Sequence, residues 1–123
     1  MPAPGQIQPT ELRLDRAARV LHVSFDDGTD YALPAEYLRV ESPSAEVQGH
    51  SPGQKQTVAG RRHVGIIAIE PVGNYAVRLV FDDLHDSGIY SWDYLHELGR
   101  EQAQRWAAYL NALDSKGLSR DPK

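Results

Sequence analysis

Phe81-Asp82-Asp83-Leu84-His85-Asp86-Ser87-Gly88-Ile89-Tyr90-Ser91-Trp92-Asp93-Tyr94-Leu95 carries an apolar strand through a polar turn and a second extended segment into a helix. Asp82, Asp83, His85 and Asp86 sit where the first strand must end. Gly88 gives the chain freedom to bend before Ile89-Tyr90-Ser91 extends again. Ser91 predicts an N-cap, because its hydroxyl reaches the free amides of a first helical turn, and Asp93 suits the positive end of the helix dipole. A strand, turn, strand and helix in this order predict an antiparallel sheet closed by a helical segment.

Upstream, Val64-Gly65-Ile66-Ile67-Ala68-Ile69 and Tyr75-Ala76-Val77-Arg78-Leu79-Val80-Phe81 are rich in β-branched and aromatic residues, and Gly73-Asn74 marks a hairpin turn between them. Downstream, Leu95 and Leu98 face inward and Gly99 predicts a helix break. A second helix from about Arg100 sets Ala103, Trp106, Ala107, Leu110 and Leu113 on one stripe, and Lys116-Gly117 ends it. Nearer the N-terminus, Glu11 to Leu14 and Val20 to Phe25 alternate as strands around a turn at 15–18. Asp26-Asp27-Gly28-Thr29 is a hairpin signal, with Tyr31-Ala32-Leu33 as the returning strand. Pro34 to Leu38 reads as one helical turn, and Glu41 to Gly60 as a long polar connection.

The expected fold is therefore α+β: five to seven short antiparallel strands, in one sheet or two, packed by C-terminal helices. Residues 1–9 read as a disordered lead, 10–115 as the domain and 116–123 as a frayed tail. The expected core is Val23, Phe25, Ile67, Ile69, Val77, Leu79, Phe81, Leu95, Leu98, Trp106 and Leu110.

Composition narrows the function classes. The chain has 123 residues, 41% of them hydrophobic, which suits one domain with a modest core. The 13 basic and 17 acidic residues leave a net charge of −4 with no basic run, which argues against nucleic acid. Lys55, Arg61 and Arg62 read as a solvated loop patch. There is no cysteine, which excludes thiolate ligation by this chain alone. No signal-peptide pattern and no apolar run of membrane-spanning length are present, so the expected location is cytoplasmic, with no membrane partner.

Asp82, Asp83, His85 and Asp86 place three carboxylates and an imidazole within five residues, donors that suit hard cations or zinc. Adjacent strand residues point to opposite faces, so a turn must gather them, and the plain alternative is a hydrated strand end. His22, His50, His63 and His96 are scattered, although His50 and His63 can meet if the long loop folds back. No nucleophile elbow, phosphate loop or Ser–His–Asp order is readable. No catalytic residue and no cofactor are assigned. Tyr75, Tyr90, Trp92, Tyr94 and Trp106 suit either a binding face or core packing.

Leu38-Arg39-Val40-Glu41-Ser42-Pro43-Ser44-Ala45-Glu46-Val47, together with His85 to Leu95, resembles the small bacterial domain similar to the N-terminal domain of gamma-butyrobetaine hydroxylase. Leu12-Arg13-Leu14, Phe25-Asp26-Asp27-Gly28, Leu33 to Arg39 and Gly65-Ile66 also fit, so the likeness spans about residues 10–113. In the hydroxylase this domain holds a structural zinc through a cysteine cluster and a later histidine. The resemblance puts those positions on Ser42, Ser44, Val47 and His85, of which only His85 is a zinc ligand type. The oxygenase domain, with its iron and 2-oxoglutarate site, has no counterpart here.

Similar domains also occur fused to P-loop ATPases of iron–sulfur cluster assembly. The resemblance implies a non-enzymatic protein-interaction module, accessory to iron–sulfur or metalloprotein maturation, with such an ATPase as partner. Its expected surface is His85, Tyr90, Trp92 and Tyr94 beside the long loop. Two alternatives stand beside it: a small metal-binding protein using His85 and the neighbouring carboxylates, and a self-associating structural domain that pairs through an exposed sheet edge.

Overall fold

The computed structural model describes residues 7–49 and 53–122. Strands β1 (Pro9–Asp15), β2 (Val20–Phe25) and β3 (Asp30–Pro34) form one antiparallel sheet. Helix α1 (Ala35–Val40) follows, then α2 (Ala45–Gln48) inside the long connection. Strands β4 (Ile66–Val72), β5 (Ala76–Phe81) and β6 (Gly88–Ser91) form a second antiparallel sheet, and α3 (Trp92–Arg100) and α4 (Gln102–Ser115) complete the chain. The α+β reading and its strand number hold, with the strands divided between two sheets.

One core joins the sheets. Leu21, Val23 and Phe25 on β2 alternate inward and pack with Leu33, Ala35, Tyr37 and Leu38, with Val77, Leu79 and Phe81 on β5, and with Tyr90, Leu95 and Leu98. Two buried hydroxyls hold α1 in place: Tyr37 donates to the Leu98 carbonyl of α3 at 2.7 Å, and Tyr90 of β6 donates to the Leu38 carbonyl. A buried tyrosine needs such a partner, since an unpaired hydroxyl in the core costs about 1–3 kcal/mol.

Two expected core residues are exposed. β4 carries a register shift between Ile66 and Ala68, which leaves Ile67 as the extra residue of a bulge, 51% exposed, while Ile66 takes the buried place. Leu110 is 40% exposed because α4 buries Tyr109 and Leu113 instead. The cause is the long connection, which folds down on that side: Tyr109 donates to the Val58 carbonyl at 2.6 Å, and Val58 and Ala59 pack with Val40, Tyr109 and Leu113. Trp106 and Ile69 are half-buried against the main core.

The Ser91 cap is present, its hydroxyl accepting from the Tyr94 amide at 3.1 Å. Gly99 breaks nothing, for α3 runs on to Arg100 and the chain turns at Glu101. Gly99 is instead where the helix meets Tyr31, and a β-carbon there would lie 2.3 Å from the ring. Gly117, at φ +65, ends α4 with Leu118 donating to the Leu113 carbonyl at 2.8 Å.

The ends of the described chain are tied down. Residues 7–9 do not belong to a disordered lead: Ile7 packs on the core, Gln8 accepts from Asp26 and Pro9 opens β1. Residues 1–6 lie outside the described residues. The tail is anchored rather than frayed over 118–122: Arg120 grips Glu36 through two bonds, 2.8 and 2.6 Å, and lies over the Trp106 ring. The loop cations are not free either. Lys55 pairs with Glu41, Arg61 with Asp83 and Arg62 with Asp121.

Candidate functional site

The turn from β5 to β6 and the α1–α2 connection meet at His85. The chain folds back on itself there: Phe81 donates its amide to the His85 carbonyl at 3.0 Å, and the His85 amide is held by the Asp83 carboxylate at 3.2 Å. The His85 side chain is only 2% exposed. Its Nε2 lies 2.9 Å from Ser42 Oγ, and its Nδ1 lies 3.2 Å from Glu46 Oε2. One protonation scheme satisfies every atom: Nδ1–H donates to Glu46, Ser42 Oγ–H donates to Nε2, and Ser42 Oγ accepts the Ser44 amide at 3.3 Å.

Ser44 caps α2 and its hydroxyl meets that of Ser87 at 2.8 Å. Gly88 is required beside this cluster, since a β-carbon would lie 2.6 Å from Ser42 Oγ. Burial, and then the positive charge of Arg39, hold His85 below its ordinary pKa. The neutral ring is therefore the native form.

Of the positions that the resemblance assigns to zinc, Ser42 bonds His85 and the Ser44 amide, but the chemistry of the set does not suit the metal. Ser42 and Ser44 are neutral hydroxyls already engaged with His85 and Ser87, and Val47, 2% exposed, has no lone pair to give. The carboxylates named beside His85 are turned elsewhere. Asp83 accepts from Arg39 Nε at 2.8 Å and Arg61 Nε at 2.6 Å, and Asp86 lies 3.7 Å from Arg78, while the exposed Asp82 has no ion pair among the described residues. Among the described residues no three histidine, aspartate or glutamate side chains converge as a metal set. His50, the suggested partner of His63, lies outside the described residues.

The expected aromatic surface is also largely inside. His85 and Tyr90 are buried, and Trp92 and Tyr94 are half-buried, with the Tyr94 hydroxyl donating to the Glu41 carbonyl at 2.6 Å and Trp92 Nε1 to the Asn74 carbonyl at 2.9 Å. Their polar tips serve the fold, locking the last helices to the chain before them.

What the turn does expose is Leu84. It is 91% exposed and adopts φ +73, a left-handed conformation that a branched side chain rarely takes. Its neighbours force it there. Asp83 is clamped by two arginines and His85 by the serine cluster, while the Leu84 amide donates to the Phe81 carbonyl at 3.3 Å. A single leucine inside Asp-Asp-Leu-His-Asp was the available sequence signal, an apolar residue with no periodic partner. Its burial state depends on clamps that lie far off in the chain.

Burial raises the Asp83 carboxyl, but the Arg39 hydrogen bond and charge outweigh it and bring it below the usual range. Both shifts work in one direction with pH. Below about 6.5 an unfolded histidine takes a proton that folded His85 refuses, and below about 3.8 an unfolded aspartate does the same relative to Asp83. Stability is therefore expected to fall on acidification from neutral pH, in two stages. Urea denaturation of the His85→Gln variant should show a shallower loss than wild type between pH 7 and 5. An unchanged slope would remove His85 from this role.

A family model for gamma-butyrobetaine hydroxylase-like, N-terminal, matches residues 12–96. The chain belongs to that family. Two NMR solution structures are each 48% identical to it; one matches with a TM-score of 0.84 over 97% of this chain and 94% of that one, the other with 0.83 over 99% and 91%. A crystal structure of a protein of unknown function from Acidithiobacillus ferrooxidans ATCC 23270, assigned to the DUF971 family, is 41% identical with a TM-score of 0.64, covering 75% of this chain and 92% of that one. No curated protein matches. Membership in this family agrees with the α+β fold described above. Among the described residues no helix is long and apolar enough to cross a membrane.

Proposed function

We propose that this domain is a non-enzymatic protein-interaction module that docks through the Leu84 turn and serves iron–sulfur or metalloprotein maturation in the cytoplasm. The observation that carries the docking element is the leucine itself: 91% exposed, at positive φ, on a turn held by Arg39, Arg61 and Ser42. Strained backbone of this kind costs on the order of 1–3 kcal/mol and persists where surrounding structure over-determines it, a pattern that concentrates at functional positions. Asp82 and Asp86, both exposed, flank the tip and favour a partner whose apolar pocket has a basic rim. The family resemblance supplies the class of partner, a P-loop ATPase of cluster assembly.

Leu84→Gly separates docking from folding, because glycine accepts φ +73 without strain. The variant is expected to be at least as stable as wild type, by up to about 1 kcal/mol, in urea denaturation. It should fail to co-purify the ATPase from the native cell, as should Leu84→Asp. Wild-type bait that recovers neither such an ATPase nor a metalloprotein would refute the partner class. Variants that recover it as well as wild type would refute the Leu84 turn.

A further inference from the structure

Each sheet has two edges, and three of the four are blunted. β3 ends in Pro34 and touches α1 and α3, β4 carries the Ile67 bulge and Pro71, and β6 is only four residues long. The outer edge of β1 begins with Pro9 and a register shift between Pro9 and Glu11, but from Glu11 to Asp15 the strand pairs with β2 in unbroken register. Among the described residues no strand pairs with it beyond β2, and its inward residues Leu12 and Leu14 are left half-buried. Its outward residues Glu11 and Arg13 are exposed, and neither has an ion pair or a side-chain hydrogen bond among the described residues. In register they stand opposite Ser24 and His22 of β2, which do not neutralise them.

We propose that β1 is the interface of a two-fold homodimer, pairing antiparallel with β1 of a second copy about Leu12. Two-fold symmetry about Leu12 sets residue 11 opposite residue 13 of the other chain. Glu11 of each copy then faces Arg13 of its mate, giving two opposite-charge cross-strand pairs from one repeated motif. Edge strands that avoid association carry charges that repel a second copy, whereas Glu11 and Arg13 alternate in sign and attract one. Leu12 meets Leu12 on the inner side, Leu14 gains cover, and the two β1–β2–β3 sheets become one sheet of six strands. This surface lies in the other sheet from the Leu84 turn, so failure of either proposal leaves the other standing.

The test is a sedimentation-equilibrium series on the full chain from micromolar to millimolar concentration. Wild type is expected to show a reversible monomer–dimer equilibrium. Glu11→Arg places like charges opposite each other at both symmetric pairs, and is expected to weaken the dimer about tenfold. Arg13→Glu should do the same. The double exchange Glu11→Arg with Arg13→Glu restores both pairs and should restore wild-type association. These side chains are exposed and unpartnered, so unchanged far-ultraviolet circular dichroism is expected throughout. A wild type that stays monomeric across the series overturns the proposal. So does a dimer indifferent to Glu11→Arg, and so does a double exchange that fails to recover association.

Discussion

Replacing Asp83 with alanine is expected to cost about 3 kcal/mol of folding free energy, the lower end of the penalty for removing one partner of a buried ion pair, since this pair is part-buried. Arg39 is the reason. Its side chain is 9% exposed, and among the described residues its Nε bonds Asp83 while its Nη1 has no hydrogen-bond partner even with Asp83 in place. Without the carboxylate, a guanidinium that cannot lose its proton is left in the interior with nothing to offset it. Arg61 and the His85 amide lose their acceptor in the same step. Asp82 is the internal control: it is the adjacent residue, exposed and without an ion pair among the described residues, so Asp82→Ala should change stability by less than about 0.5 kcal/mol. Urea denaturation of both variants decides the matter. A loss under 1 kcal/mol for Asp83→Ala would mean that Arg39 finds water or another acceptor. Adding Arg39→Met to that variant should recover part of the loss, because it removes the stranded charge.

Gly99→Ala is expected to destabilise the domain by about 2 kcal/mol, against the grain of helix propensity. In an exposed helix interior this change gains up to about 1 kcal/mol. Here the new methyl would sit 2.3, 2.4 and 2.7 Å from Cγ, Cδ2 and Cδ1 of Tyr31, the base of the ring rather than its free end. Tyr31 cannot yield cheaply, since it packs edge-on against Phe25 and His96, and His96 in turn bonds Asp27 at 2.9 Å. Moving the ring or the helix opens the contact between α3 and the first sheet, and overpacking of this kind costs about 1–3 kcal/mol beyond the propensity gain. The check is the denaturation midpoint of Gly99→Ala beside that of Ala107→Gly, an exposed α4 position where propensity alone should operate. A Gly99→Ala protein more stable than wild type would show that Tyr31 has room to turn.

Much of this architecture was legible because it is written in local chemistry. Alternation in β2, the Asp27-Gly28 turn and the Ser91 cap depend on residues within a few positions of one another. So does the stop at Gly117. The misses share the opposite property. Ile67 left the core because a bulge shifted β4 against β5, and Leu110 because Tyr109 found the Val58 carbonyl across 51 residues. The tail at Arg120 was held by Glu36, 84 residues away.

The candidate site divides along the same line. By itself the sequence determined that cysteine is absent, that Ser42, Ser44 and Val47 cannot hold zinc with His85, and that the 81–95 run links strand, turn and helix, since residue identity alone fixes donor chemistry and local preference. Only the tertiary structure decided which groups face each other. It turned His85 inward onto Ser42, spent Asp83 on two arginines, sank Tyr90 into the core and left Leu84 outside. The physical reason is that burial and charge pairing are set by segments far apart in the chain, and no window of sequence contains both members of such a pair.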